Sequence, residues 1–78
     1  MISYKDLLED MARAIVEHPD DVKVTESEDD EEITLTLNVA EGDMGMVIGK
    51  HGNIAKAMRT VVKAAGKLDD KVVKVDIR

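Results

Sequence analysis

Apolar residues along the chain recur first at a helical spacing and then at a strand spacing. Near the N-terminus they recur every three or four residues, which predicts a helix with a single apolar stripe. The positions of that stripe are Tyr4, Leu7, Leu8, Met11 and Ile15. Ser3 is suited to cap the start of this helix. His18 and Pro19 mark its end, because the residue before a proline is disfavoured in the α conformation.

Two strands are predicted next, because apolar and polar residues then alternate with period two. The first centres on Val22 and Val24. The second carries the cleaner alternation, with apolar residues at Ile33, Leu35, Leu37 and Val39. Between them lies the acidic run 26–32, which lacks the alternating ligands and the glycine of a calcium loop. We therefore expect a solvated hairpin connection there.

The second half of the chain returns to helical spacing. A short helix is predicted over residues 43–48 and a longer one over 52–65, where Gly66 is expected to end it. Residues 71–77 again alternate and predict a last strand. The element order is α-β-β-α-α-β, with no internal repeat and no linker. A length of 78 residues then predicts one small α+β domain over residues 1–78.

The formal net charge of −6 is unevenly distributed. Residues 1–42 hold three basic residues against thirteen acidic ones, whereas residues 43–67 hold five basic residues against Asp43 alone. The last eleven residues are balanced, three against three. Affinity for phosphate depends on the charge of the contact surface rather than on the total. The acidic total therefore does not exclude a nucleic-acid partner.

Composition excludes several other classes of protein. Without cysteine, neither a disulfide nor a zinc–thiolate site can form, and no metal or cofactor is expected. One tyrosine and no phenylalanine or tryptophan exclude binders that stack bases on aromatic side chains. No stretch is long enough to span a bilayer and no leader pattern is visible, so we expect a cytoplasmic protein. Ser3 and Ser27 are interpreted as a cap and a turn residue, and no nucleophile–histidine–carboxylate set is recognisable, so we expect no enzyme.

The segment 47–54, Val-Ile-Gly-Lys-His-Gly-Asn-Ile, is the most informative one in the chain. Gly49 and Gly52 predict a tight loop between two helices, because glycine tolerates positive φ and lets another backbone approach closely. Lys50 and His51 lie between them, and the first N–H groups of the following helix lack intrahelical partners. This combination is suited to an anion, and a phosphodiester is the best candidate. The alternative is a structural turn without a ligand.

A nucleotide-binding P-loop does not fit the same segment. The first glycine of that motif would fall on Met44, and Lys50 is not followed by serine or threonine.

The helix after the loop has two distinct faces at 100° per residue. Its four basic residues fall on one side: Lys56, Arg59, Lys63 and Lys67. The first two are close enough to the loop to attract a phosphate, whereas the last two are interpreted as a solvated face. The apolar arc on the other side is wider than packing on one sheet requires. The excess, around Met58 and Val62, is either extra core or a dimer seam.

The segment 47–54 resembles the (V/I)IGxxGxxI signature of KH domains, and the element order is that of the type II arrangement. The resemblance covers essentially the entire chain. Its length and residues 54–65 are similar to those of small bacterial single-KH proteins of the KhpA (YlqC) family. The resemblance implies an α+β fold in which a three-stranded mixed sheet is packed on one side by helices. It also places the GxxG loop of the domain at residues 49–52.

The resemblance further implies non-catalytic binding of single-stranded RNA, with the loop clamping about four nucleotides. Ile48 and Ile54 are expected to pack beneath the loop, and Lys56 and Arg59 to add electrostatic attraction. Asn53 replaces a residue that is often basic in the family, which removes one phosphate contact. The expected RNA-binding residues are Ile48, Gly49, Lys50, His51, Gly52, Asn53, Lys56 and Arg59.

For the cellular role, the resemblance implies an RNA chaperone or post-transcriptional regulator. It also implies a homodimer and a heteromer with a larger KH-containing partner of the KhpB (Jag) kind. The competing interpretation is a dimerisation or assembly module whose own RNA contact is incidental. The wide apolar arc and the acidic total charge favour that second interpretation.

Overall fold

The computed structural model describes residues 3–78. The helices are α1 (Tyr4–Ile15), α2 (Met44–Ile48) and α3 (Asn53–Leu68), and the strands are β1 (Lys23–Glu28), β2 (Ile33–Asn38) and β3 (Val73–Ile77). The predicted α-β-β-α-α-β order and the α+β class are confirmed. Short 3₁₀ turns join several of these elements, among them Pro19–Asp21 before β1 and Lys50–Gly52 before α3.

The three strands form one mixed sheet in the order β1-β2-β3. β2 lies in the centre, antiparallel to β1 and parallel to β3. Its residues alternate along the strand: Ile33, Leu35 and Leu37 are buried, whereas the residues between them are half-exposed. Helices therefore cover one face of the sheet and solvent reaches the other. The outer edge of β3 pairs with no strand among residues 3–78.

α3 packs on this sheet through one narrow stripe. The stripe consists of Ala55, Met58, Val62 and Gly66, all buried. Met58 and Val62 are 4% and 0% exposed and belong to the hydrophobic core. Of the two interpretations of Met58 and Val62, extra core therefore holds and the dimer seam is corrected, because their side of the helix is occupied by the protein's own sheet and helices.

The end of α3 also differs from the prediction. Gly66 lies inside the helix, which continues to Leu68. A Cβ at Gly66 would lie 2.7 Å from Cγ2 of Val73 and 3.0 Å from the carbonyl oxygen of Lys71. This glycine therefore permits close packing of α3 on β3 rather than ending the helix. The helix ends at Leu68, and the turn that follows it is closed by Asp70, whose φ of 57° is left-handed and whose N–H donates to the carbonyl of Lys67.

The cap of α1 follows the prediction, since the Ser3 hydroxyl accepts a hydrogen bond of 3.2 Å from the N–H of Asp6. The acidic run is only partly a loop, because β1 continues to Glu28. At the turn, the Asp29 carboxylate accepts hydrogen bonds of 2.8 Å from the N–H groups of Glu31 and Glu32. These bonds hold the pKa of Asp29 below its usual value.

Asp43 connects the end of α1 to the start of α2 and is 1% exposed. Its carboxylate accepts hydrogen bonds from the N–H of His18 at 2.9 Å and from the N–H of Glu17 at 3.4 Å. Nδ1 of His18 lies 3.1 Å from the same carboxylate. Burial raises the pKa of Asp43, but the hydrogen bonds from His18, the backbone hydrogen bond from Glu17 and the charge of His18 outweigh it, so the pKa lies below its usual value. This contact fixes α2, and hence the loop that follows it, relative to α1.

Within residues 3–78, no helix is both long and apolar enough to cross a membrane. The same part of the chain contains no cluster of three or more histidine and carboxylate side chains that could hold a metal ion.

Candidate nucleic-acid interface

The loop between α2 and α3 has positive φ angles at three of its four positions. Gly49 has φ 74° and ψ 175°, His51 has φ 57° and ψ 23°, and Gly52 has φ 73° and ψ 14°. The N–H of Gly52 donates to the carbonyl of Gly49, which closes the turn at 3.1 Å. Lys50 and His51 are both exposed at its tip. The backbone therefore turns sharply while it presents a cation and an imidazole to solvent.

The two glycines of the loop have different roles. A Cβ at Gly49 would overlap the side chain of Ile54, with its Cβ 2.8 Å away. A Cβ at Gly52 would meet no atom within 4 Å. Gly49 thus lets the loop pack against the first turn of α3, whereas Gly52 leaves the backbone open to an approaching ligand.

Apolar side chains flank the loop and remain accessible. Met46, Ile48 and Ile54 are 37%, 41% and 38% exposed, respectively. Ile54 contacts the loop at Gly49, as the close approach of its side chain indicates. The expectation that Ile48 and Ile54 are packed beneath the loop therefore holds only in part, because a large fraction of each faces solvent. Together they form an aliphatic surface that a base can contact.

The basic residues nearest the loop lie along α3. Lys56 is exposed about one turn from Gly52, and Asn53 is exposed at the first position of the helix. Arg59 is half-buried, and its Nε donates to the carbonyl oxygen of Val75 in β3 at 3.1 Å. The guanidinium is therefore held at the edge of β3, with its remaining N–H groups free of any other hydrogen bond within residues 3–78. The structure brings the eight expected RNA-binding residues into one region that starts at the loop and runs along α3.

Two features of this region could not be recognised from the sequence. The buried carboxylate of Asp43 positions α2 through partners 25 and 26 residues away, which leave no periodic signal. The anchoring of Arg59 by a backbone carbonyl likewise depends on the packing of α3 beside β3. The one available signal for Arg59 is its spacing on the helix, three residues after Lys56.

Comparison with known proteins places these features in a family. The family described as KhpA/KhpB, KH domain, matches residues 5–77. The protein named RNA-binding protein KhpA of Clostridium acetobutylicum is 52% identical over 73 residues, which cover 94% of this chain and 97% of that protein. The proteins of the same name from Listeria monocytogenes and Bacillus subtilis are 44% and 45% identical over 73 residues. The match covers 94% of this chain in both cases, and 96% and 90% of the relatives' lengths.

Among solved structures, a crystal structure of Aquifex aeolicus Era bound to GDP and AlF₄⁻ superposes with a TM-score of 0.74. The superposition covers 95% of this chain, which spans only 29% of Era, at 16% identity. This similarity concerns the fold alone.

Proposed function

Because the chain belongs to the KhpA/KhpB family of KH domains, we propose that it binds single-stranded RNA through the loop Gly49-Lys50-His51-Gly52. Members of this family are non-catalytic, in agreement with the expectation that the chain is not an enzyme. The observation that carries the proposal is the exposed loop itself, in which open backbone and two basic side chains adjoin an aliphatic surface.

In the proposed complex the loop holds the sugar–phosphate chain and the neighbouring apolar side chains contact the bases. Lys50 supplies a fixed positive charge, and the open backbone at Gly52 allows a phosphate to approach. Ile48 and Ile54 supply aliphatic contact, since the chain has no tryptophan or phenylalanine to stack on. Lys56 and Arg59 attract the strand further along α3. In the cell, this activity would serve an RNA chaperone or a post-transcriptional regulator.

The number of phosphates in contact sets the expected response to salt. Three contacts, at roughly 0.7 per phosphate on a single strand, predict a slope near −2 for log affinity against log salt. A slope near zero would contradict the electrostatic part of the proposal.

The experiment that tests the loop is a titration of short single-stranded RNA followed by backbone amide shifts. We expect shifts at residues 48–59, and we expect the variant Lys50→Asp with His51→Asp to lose them while it stays folded. Lys5→Asp with Ser27→Asp is the matched control, because it changes formal charge equally on exposed positions of α1 and β1. A folded wild type without shifts at near-millimolar RNA would overturn the proposal.

A second candidate function is assembly, and an exposed apolar row on α3 favours it. At 100° per residue, Ile54, Val61 and Leu68 lie within one arc of about 40°. Val61 and Leu68 are 44% and 88% exposed. This row lies beside the buried stripe rather than on it. We propose that it is the surface through which the domain pairs with a second copy or with a larger KH-containing protein of the KhpB kind.

Light scattering tests this second candidate. A wild-type mass near twice 8.6 kDa, reduced to one chain by Leu68→Lys, would support self-association through the row. Lys5→Leu is a suitable control for altered surface polarity elsewhere. A wild type that stays a monomer at millimolar concentration would exclude the homodimer.

A further inference from the structure

The basic face of α3 continues well beyond the residues assigned to the loop site. α3 contains no acidic residue in its sixteen positions, although the chain contains seventeen Asp and Glu in total. Its four basic residues lie within an arc of about 80° at 100° per residue. They form the basic row Lys56, Arg59, Lys63 and Lys67. Lys63 and Lys67 are therefore in line with the residues near the loop rather than on a separate face.

The row ends at a hollow between the C-terminal half of α3 and the start of β3. The hollow has a volume of about 570 Å³, and Ala64 and Val72 supply its apolar surface. Four lysines line it: Lys63, Lys67, Lys71 and Lys74. One carboxylate, that of Glu32, is also part of the lining. Val72 is 59% exposed and leaves an apolar surface open to solvent.

In the described part of the chain, three of the four lysines of the hollow form no ion pair, although Lys71 also borders the acidic turn 28–32. Lys74 pairs with Glu32 at 3.9 Å, but within residues 3–78 no carboxylate lies within 4 Å of the amino groups of Lys63, Lys67 or Lys71. Asp69 is next to this region in the sequence, but its carboxylate lies beside α1, where it accepts a hydrogen bond from the Tyr4 hydroxyl. The hollow thus combines three unpaired positive charges with an apolar surface. That chemistry fits a phosphate chain that carries a base.

The hollow is also within reach of a strand held at the loop. Ala64 lies twelve residues after Gly52, which corresponds to about 18 Å along the helix axis. Stacked nucleotides rise about 3.4 Å each, so this distance is spanned by about five nucleotides, and by fewer in an extended strand. Arg59 lies midway along this path and is held at the edge of β3 by the Val75 carbonyl. The path from loop to hollow is therefore continuous and free of α3 carboxylates.

We infer that the lysine-lined hollow is a second RNA contact, which binds the phosphates of nucleotides beyond the four held at the loop. This inference rests on the proposed function, since the loop sets where the strand begins. It assigns a role to Lys63, Lys67 and Lys71, although the spacing on the helix alone indicates only a solvated face for Lys63 and Lys67. The bound RNA should accordingly extend to about eight nucleotides.

The test compares RNA of four and eight nucleotides by the salt dependence of binding. Salt dependence is preferable to affinity, because a longer strand offers more binding registers without any new contact. With three further phosphates at roughly 0.7 each, the slope should steepen from about −2 on the four-nucleotide RNA to about −4 on the eight-nucleotide RNA. The variant Lys63→Gln, Lys67→Gln, Lys71→Gln should return the eight-nucleotide slope to about −2. It should leave binding of the four-nucleotide RNA nearly unchanged.

A matched triple variant controls for net charge. Lys5→Gln, Arg13→Gln, Lys23→Gln removes three exposed positive charges from α1 and β1 and gives the same net charge of −9. We expect it to keep the steep slope on the eight-nucleotide RNA. If the control loses that slope equally, or if wild type shows equal slopes for both lengths, the inference is wrong while the loop proposal stands.

Failure of the proposed function would give a different result: the four-nucleotide RNA would neither bind nor shift the amides of the loop.

The same amide shifts would also reveal a protein partner for the hollow. If a hexaglutamate peptide shifts the amides of residues 63–74 and the eight-nucleotide RNA does not, the hollow binds an acidic protein segment and the RNA contact is refuted.

Discussion

Replacing Gly49 with alanine should destabilise the fold more than the same change at Gly52, although both have nearly equal φ angles of 74° and 73°. The two substitutions should differ in cost because the glycines differ in ψ and in the atoms that surround them. At Gly49 an added Cβ would lie 2.6–2.9 Å from three side-chain atoms of Ile54, one of which is Cβ. Rotation about χ1 moves the outer atoms of Ile54 but not its Cβ. The first turn of α3 must therefore shift to accommodate the substitution.

The two costs can be compared from the geometry. The conformation of Gly49, with ψ 175°, costs other residues on the order of 1–3 kcal/mol. Overpacking against Ile54 adds about 1–3 kcal/mol. At Gly52, with ψ 14°, the left-handed conformation costs about 1–2 kcal/mol. The reduced freedom of the unfolded chain offsets up to about 1 kcal/mol in both variants alike, so it cancels in their comparison. Mid-range values then give a difference of roughly 2–3 kcal/mol between the two variants.

Urea denaturation followed by circular dichroism measures this difference. For a small protein with a slope of about 1 kcal/mol/M, the midpoint of Gly49→Ala should lie about 1 M or more below that of Gly52→Ala. Gly45→Ala is the control, because Gly45 lies in α2 with no atom within 4 Å of an added Cβ and without positive φ. It should be neutral or stabilising by up to about 1 kcal/mol. Equal midpoints for the two loop variants would refute the role assigned to Gly49.

Three further predictions concern ionisable and turn residues. Because the pKa of Asp43 is lower in the folded protein than in the unfolded chain, its ionised form stabilises the fold, and this stability is lost as pH falls through the folded pKa. Asp43→Asn should therefore flatten the acid side of a plot of Tm against pH. An unchanged acid side would contradict this prediction. The hydrogen bond to Asp69 raises the pKa of Tyr4, the only tyrosine, to about 12. The stability from this bond is therefore fully present below pH 10 and is lost as pH rises towards 12. Asp69→Ala should return the ultraviolet titration of tyrosinate towards 10.0. Asp70→Gly should raise the free energy of unfolding by up to about 1 kcal/mol in urea, because Asp70 has a φ of 57°; a loss of stability would contradict the proposed helix end.

The fold was predictable from the sequence wherever local spacing alone determines an element. The stripe of α1, the alternation in β2 and the glycine spacing of the loop each have one simple period or one local conformational cause. The end of α3 was not predictable from the sequence. A glycine near the end of a helical pattern usually marks the end of the helix, whereas Gly66 lies within α3 and is required by the close approach of Val73. A contact between a helix and a strand leaves no periodic trace in either one.

In the candidate site, too, locally determined features were predictable from the sequence and features that depend on packing were not. Gly49 and Gly52 were predictable because positive φ strongly favours glycine. Burial of Met58 and Val62 was not, because an apolar arc on a helix does not reveal which part of it the sheet covers. The sheet covers the stripe from Ala55 to Gly66 and leaves Val61 and Leu68 exposed on the adjoining flank.

The arrangement of charge suggests why an acidic chain would still bind RNA, and where the bound strand would end. The basic row on α3 begins at the loop, where phosphate contact is proposed, and continues to the hollow. At the far side of the hollow Glu32 faces Lys74, and the acidic turn around Asp29 follows immediately. A phosphate beyond the hollow would therefore meet like charge instead of lysine. Since exposed charges act mainly within about 10 Å at ordinary ionic strength, this turn would limit the strand locally without weakening the loop contact about 18 Å away. The acidic residues would then set the length of RNA bound rather than oppose binding.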